Sequence, residues 1–130
     1  MSQIATNPLR GLRVLIAEDN YLIGDYLRQI LVDLECAVVG PIDNLDEVLT
    51  VIRTIEIDGA LLDVQLGDQN VHPAASELLD RGIPFILTTG RAMSADLPAS
   101  LSGAPLLTKP FDAGQLERLV GKTFRPPVGA

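Results

Sequence analysis

Two periods of apolar and polar residues alternate along the chain, and the change from one to the other recurs five times. Leu12-Arg13-Val14-Leu15-Ile16-Ala17 is a nearly continuous apolar run that predicts a buried strand, ending at Glu18-Asp19-Asn20. Leu22, Ile23, Tyr26, Leu27, Ile30, Leu31 and Leu34 then recur at helical spacing and form one apolar stripe. Cys36-Ala37-Val38-Val39 predicts a second strand, closed by Gly40-Pro41. Asn44 with Glu47 three residues on has the form of a capping box. It opens a helix with Leu45, Val48, Leu49, Ile52 and Ile55 on one face.

Ala60-Leu61-Leu62 predicts the third strand and leads into Asp63. Gly67 to His72 reads as a polar loop, and a helix follows near Pro73 to Arg81 that Gly82 ends. Pro84-Phe85-Ile86-Leu87-Thr88 is the fourth strand. A weak helical pattern lies within Ala92 to Ser102, interrupted by Pro98. Pro105-Leu106-Leu107-Thr108 is the fifth strand, and Asp112 caps a last helix carrying Leu116, Leu119 and Val120. Residues 1–11 read as an N-terminal arm, 12–122 as the domain, and 123–130 as a tail in which Arg125-Pro126-Pro127 ends the order.

Strands that are apolar throughout, rather than alternating, predict a parallel sheet covered on both faces. Five strand-helix units with short connections give an α/β, doubly wound, flavodoxin-like sheet in the order 2-1-3-4-5. In such sheets functional groups gather beyond the carboxyl ends of the strands.

Composition narrows the function classes. A chain of 130 residues suffices for one core, and 47% hydrophobic with 21% charged residues fits a compact globule. The apolar runs are too short to span a membrane. Met1 to Pro8 lacks a basic-then-apolar signal, so a cytoplasmic location is expected. With 17 acidic against 10 basic side chains the net charge is −7, which a nucleic-acid backbone would repel. The single cysteine, Cys36, reads as a small buried hydrophobe, and the single histidine, His72 before Pro73, as a loop or cap residue.

The strand ends carry the chemistry. Glu18-Asp19 follows the first strand, Asp63 the third, Thr89 the fourth and Lys109-Pro110 the fifth. Strands 1 and 3 are neighbours in the expected order, so three carboxylates should meet in one crevice. Anions that close require a cation or a shared proton. Oxygen ligands without His or Cys suit Mg²⁺ best, with Ca²⁺ or Mn²⁺ behind it. A carboxylate is a competent nucleophile toward phosphorus, and phosphoryl transfer needs mainly positioning and charge neutralisation. Asp63, central in the set, takes the nucleophile role, Lys109 supplies a fixed ammonium, Thr89 a hydroxyl, and Glu18 and Asp19 hold the metal. Each residue alone has an ordinary explanation as a helix cap, a turn residue or a loop lysine. All of them at successive strand ends of one sheet do not.

In this combination the sequence resembles the receiver domains of two-component response regulators, over residues about 12 to 122. The resemblance rests on Glu18-Asp19, on Asp63 after Ala60-Leu61-Leu62, on Thr89-Gly90 and on Lys109-Pro110-Phe111. It implies transfer of phosphate to Asp63 from a phosphohistidine of a histidine kinase or phosphotransfer protein. It also implies Mg²⁺ bound by Asp19, Asp63 and the backbone carbonyl of Gln65, with Glu18 assisting. Such a domain promotes its own phosphorylation and dephosphorylation and has no turnover substrate.

The chain departs from the family pattern in two places. Leu106 stands where a Tyr or Phe is usual, so the switch cannot be the familiar ring rotation coupled to Thr89. The loop after Asp63 reads Val64-Gln65-Leu66-Gly67-Asp68-Gln69-Asn70 instead of continuing with Leu-Pro-Gly. With Val39-Gly40-Pro41, Pro84-Phe85 and Thr89-Gly90, these departures resemble the atypical receiver subgroup called FAT GUY, although Leu87, Thr88 and Arg91 differ from its pattern. Gln65 and Arg91 are expected to flank the path of the attacking water and tune the lifetime of the phosphorylated state.

The resemblance further implies a single-domain regulator, monomeric or weakly dimeric, that works through a downstream protein partner or by passing phosphate on. The apolar face of the first helix, Tyr21 to Leu34, offers a kinase docking surface. Three rivals fit less well. A flavodoxin-type cofactor binder would not place Glu18-Asp19 at its phosphate cradle. A haloacid-dehalogenase-type phosphohydrolase carries its nucleophile on the first strand with a second acid two residues later, where this chain has Gln65. A receiver that only binds partners would not need the intact acid, threonine and lysine set.

Overall fold

The computed structural model describes residues 7–90 and 97–124. Its elements are β1 (Arg13–Ala17), α1 (Tyr21–Asp33), β2 (Ala37–Ile42), α2 (Leu45–Thr54), β3 (Gly59–Asp63), β4 (Gln65–Leu66) and β5 (Gln69–Asn70). They continue with α3 (His72–Asp80), β6 (Phe85–Thr89), a 3-10 turn (Ala99–Leu101), β7 (Leu106–Thr108) and α4 (Ala113–Thr123).

Five strands form one parallel sheet in the order β2-β1-β3-β6-β7, the 2-1-3-4-5 order expected for the five long apolar runs. β3 and β6 are buried at every position, as a doubly covered parallel sheet requires. One core packs Leu15, Leu62 and Leu87 under Val48, Ile52 and Leu78 of α2 and α3. The other packs Val14, Ile16, Leu61, Ile86 and Leu107 under Leu27, Leu31, Leu116 and Val120 of α1 and α4.

The helix ends follow the side-chain chemistry. Asn44 Oδ1 accepts from the Glu47 N–H at 2.8 Å, but the return bond runs between the two side chains, Asn44 Nδ2 to Glu47 Oε1 at 3.3 Å. Asp112 and Gln115 close a complete capping box on α4. Gly82, at φ +71°, ends α3 as expected.

Several local expectations need correction. β2 does not stop at Gly40-Pro41. It carries on to Ile42 through a bulge, with Leu15 opposite Val39 but Ala17 opposite Ile42. Gly40 permits this at φ +106°, where an added Cβ would lie 2.7 Å from the Ile16 carbonyl oxygen. The polar loop after Asp63 contains a hairpin, β4 and β5 turning at Gly67-Asp68. His72 is the first residue of α3, and Asn70 Oδ1 accepts its N–H at 2.8 Å. Residues 97–102 hold a 3-10 turn and no α-helix, while the rest of the weak helical pattern, with Arg91, lies outside the described residues. The apolar stripe of α1 is only partly buried. Leu27, Ile30 and Leu31 enter the core, whereas Leu22 is 76% exposed and Tyr26 43%.

Candidate functional site

The strands deliver their last residues to one place. Glu18 follows β1, and its N–H donates to the Ile42 carbonyl at 2.9 Å, so the β2 bulge sets the backbone of the first acid. Asp63 ends β3, Thr89 ends β6, and Lys109 follows β7 with its N–H on the Thr89 carbonyl at 2.7 Å. Glu18, Asp63 and Thr89 are buried, at 3%, 6% and 5% exposure, and Asp19 is exposed.

Lys109 Nζ bridges the two buried acids, 3.0 Å from Glu18 Oε1 and 2.9 Å from Asp63 Oδ2. The remaining oxygens take backbone amides: Asn20 N–H on Glu18 Oε2 at 3.0 Å and Gln65 N–H on Asp63 Oδ1 at 3.1 Å. Asp19 Oδ2 accepts from the Gly67 N–H at 2.9 Å. One oxygen from each of Glu18, Asp19 and Asp63 lies within 4.8 Å of the others. Three carboxylates against one ammonium leave surplus negative charge facing a shared space, which suits a hard divalent cation.

Burial pushes the Glu18 carboxyl above the usual carboxylate range, and the Asp63 charge adds to it, against hydrogen bonds from Asn20 and Lys109. Burial alone would lower Lys109. Its hydrogen bonds to Asp63 and Glu18 outweigh that, so the ammonium is held more tightly than usual.

The hairpin decides what Gln65 presents. Val71 N–H donates to the Val64 carbonyl at 2.9 Å, and Leu66 stands opposite Gln69 at the two-residue turn. In an antiparallel ladder these bonded pairs alternate with non-bonded ones. Gln65 opposite Asn70 is then a non-bonded pair, with its backbone groups directed away from β5, its N–H onto Asp63. The Gln65 side chain turns to the Gly67 carbonyl at 3.3 Å. Leu106 is half-buried and packs against the core under α2 and α3.

Glu18, Asp19, Asp63, Thr89 and Lys109 are therefore gathered at one end of the sheet, with Gln65 beside them. Two contributors escaped the sequence reading. Asn20 caps α1, its Oδ1 accepting from Ile23 N–H at 3.1 Å, and its own N–H orients Glu18. Asn before an apolar helix is a recognisable signal. The Gly67 amide is not, because only the fold of the hairpin brings it to Asp19. Next to the site Tyr21 is 86% and Leu22 76% exposed, and the Tyr26 and Phe111 rings lie 6.5 Å apart.

Residues 14–121 match the family described as response regulator receiver domain. The chain is 34% identical over 122 residues to the response regulator protein PmrA of Pseudomonas aeruginosa, covering 91% of this chain and 55% of that protein. It spans about half the length of the curated relatives it matches. The solution structure of SdrG from Sphingomonas melonis Fr1 superposes with a TM-score of 0.74 at 31% identity, covering 85% of this chain and 94% of that one. The receiver domain of a sensor histidine kinase from Pseudomonas aeruginosa, described with a magnesium ion coordinated in its active site cleft, shares the fold. Its TM-score is 0.75 at 23% identity, covering 86% of this chain and 96% of that one. The strand order, the family match over nearly the whole chain and these relatives agree: this protein belongs to the response regulator receiver domain family.

Proposed function

We propose that this chain accepts a phosphoryl group on Asp63 from a phosphohistidine of a histidine kinase or phosphotransfer protein. The observation that carries the proposal is the setting of Asp63. Its carboxylate is held between the Lys109 ammonium and the Gln65 amide, with two further carboxylates within 4.8 Å. An Asp63 oxygen attacks phosphorus while the phosphorus–nitrogen bond breaks and its electron pair stays on the imidazole nitrogen. Lys109 balances charge on the phosphoryl oxygens, and Thr89 supplies a hydroxyl donor. In the return reaction a water oxygen attacks phosphorus, the bond to Asp63 breaks, and the carboxylate is restored.

Glu18, Asp19 and Asp63, with the Gln65 carbonyl, would hold Mg²⁺. The crowding of their oxygens and the backbone direction of Gln65 support that set. A bound divalent cation neutralises phosphoryl charge and orients the group for in-line displacement. Gln65 and Arg91 tune the phosphorylated lifetime, and Thr89 switches without a strand aromatic because Leu106 occupies that position. The domain comprises residues 12–122, acts in the cytoplasm as a FAT GUY-like regulator, and turns over no separate substrate. Its partners are proteins, and the exposed Tyr21, Leu22 and Tyr26 beside the site support docking of the phosphodonor there.

Incubation with Mg²⁺ and acetyl phosphate should raise the intact mass by one phosphoryl group, and Asp63→Asn should abolish the increase. No increase from acetyl phosphate or from a panel of phosphorylated histidine kinases would defeat the reading.

A further inference from the structure

Thr88 is 1% exposed, and its hydroxyl has no hydrogen-bond partner among the described residues. A buried hydroxyl in that condition has lost its water without compensation, whereas a valine of the same shape would lose nothing. The strand register says what lies beside it. Thr88 stands opposite Asp63 on β3 and Leu107 on β7. Residues opposite each other in parallel strands project from the same face, here the one whose core contains Leu61, Ile86 and Leu107. Lys109 starts beyond β7 and reaches Asp63 on β3, so its side chain crosses the strand that carries Thr88. Polar groups that the register and these bonds bring to this face include the Asp63 carboxylate and the lysine ammonium that already occupies its Oδ2 and also bonds Glu18.

We propose that Thr88 is a further catalytic residue of this site, acting in dephosphorylation; the inference rests on Asp63 being the phospho-acceptor. In the resting protein Lys109 holds Asp63 Oδ2 and the Thr88 hydroxyl is idle. Once Asp63 carries a phosphoryl group, the ammonium is drawn toward the phosphoryl oxygens, and the carboxyl side of the acyl phosphate is left to the threonine. As water attacks phosphorus and the oxygen–phosphorus bond breaks, the electron pair returns to the Asp63 carboxyl group. The Thr88 hydroxyl donates to that oxygen as its charge develops, which lowers the barrier to hydrolysis. The proton released by the attacking water leaves with the phosphate or to solvent.

The test uses the full chain loaded with Mg²⁺ and acetyl phosphate. The donor is then removed and the phosphorylated mass is followed over time. Thr88→Val, which exchanges the hydroxyl for a methyl of similar size, should lengthen the half-life about threefold or more, the scale of one hydrogen bond to a partly charged oxygen. Thr88→Ser, which keeps the hydroxyl, should stay within about twofold of the parent protein by the same argument. Unphosphorylated Thr88→Val should melt at or above the parent temperature, because no resting hydrogen bond is lost. A Thr88→Val half-life equal to the parent's would overturn the proposal, as would Thr88→Ser decaying like Thr88→Val. A lower melting temperature for Thr88→Val would also overturn it, since the hydroxyl would then have a resting partner. If the parent protein takes up no phosphate at all, the acceptor reading fails first and the role of Thr88 falls with it.

Discussion

The molecule carries two charge triads of inverse make-up in opposite surroundings. At the carboxyl end of the sheet, Lys109 bridges Glu18 and Asp63, with side chains only 17%, 0% and 9% exposed. On the outside, Glu77 of α3 takes Arg53 of α2 at 2.8 Å and Arg81 at 3.1 Å, and both arginines are largely in water. The outer triad ties two helices together in a solvent that screens it, so each pair contributes little. The inner triad is screened much less, and it has more acid than base. A fold keeps such an arrangement where the charge is used, since removing one partner strands the others in a poor solvent.

Lys109→Ala is the strongest challenge to this contrast. Without metal it should destabilise the protein by roughly 3 kcal/mol, the lower end for a broken buried pair because Glu18 can take up a proton. Mg²⁺ should restore much of the loss in a urea titration, and an unchanged midpoint without metal would show the inner triad to be as weakly coupled as the outer one.

The two triads should also answer pH with opposite signs. Glu18 is raised by burial, so its contribution to stability is present below the ordinary carboxylate value, about 4.3, and is lost as pH rises through its higher folded value. Glu77 is lowered by its hydrogen bond from Arg53, so its contribution is present above that value and fades as pH falls through the folded one. In metal-free buffer Glu18→Gln should therefore gain on the parent protein between the acidic range and neutrality, and Mg²⁺ should remove the gain. Denaturation midpoints measured across that window decide it, and a pH-independent difference would contradict the assignment.

The smallest effect is expected from Arg53→Ala. It should lower the midpoint slightly at low ionic strength and not detectably at high salt. A salt-resistant loss would mean that the outer triad does more than bridge α2 and α3.

Much of this is legible in the sequence alone. The apolar runs located all five strands of the main sheet, and Glu18, Asp19, Asp63, Thr89 and Lys109 stood out because the parallel order places strand ends together. Other features were hidden for definite reasons. The β2 extension passes through Gly40-Pro41, which locally signals a stop, and it forms because Ala17 and Glu18 need Ile42 opposite them. The β4–β5 hairpin is two residues per strand, too short for any periodicity, and it is marked only by the turn at Gly67-Asp68. Leu22 and Tyr26 of the α1 stripe face outward, which apolar spacing cannot tell from a face turned inward.

The sequence by itself determined the period of each element, hence a doubly covered parallel sheet, and the identity of the groups at its carboxyl end. Those are local properties, carried by neighbouring residues. The tertiary structure alone decided which oxygens the Lys109 ammonium bridges, that the Gly67 amide reaches Asp19, and that the Thr88 hydroxyl, on the strand position opposite Asp63, is buried with no partner among the described residues. These depend on register and packing between segments far apart in the chain, and no pattern within a single segment encodes them.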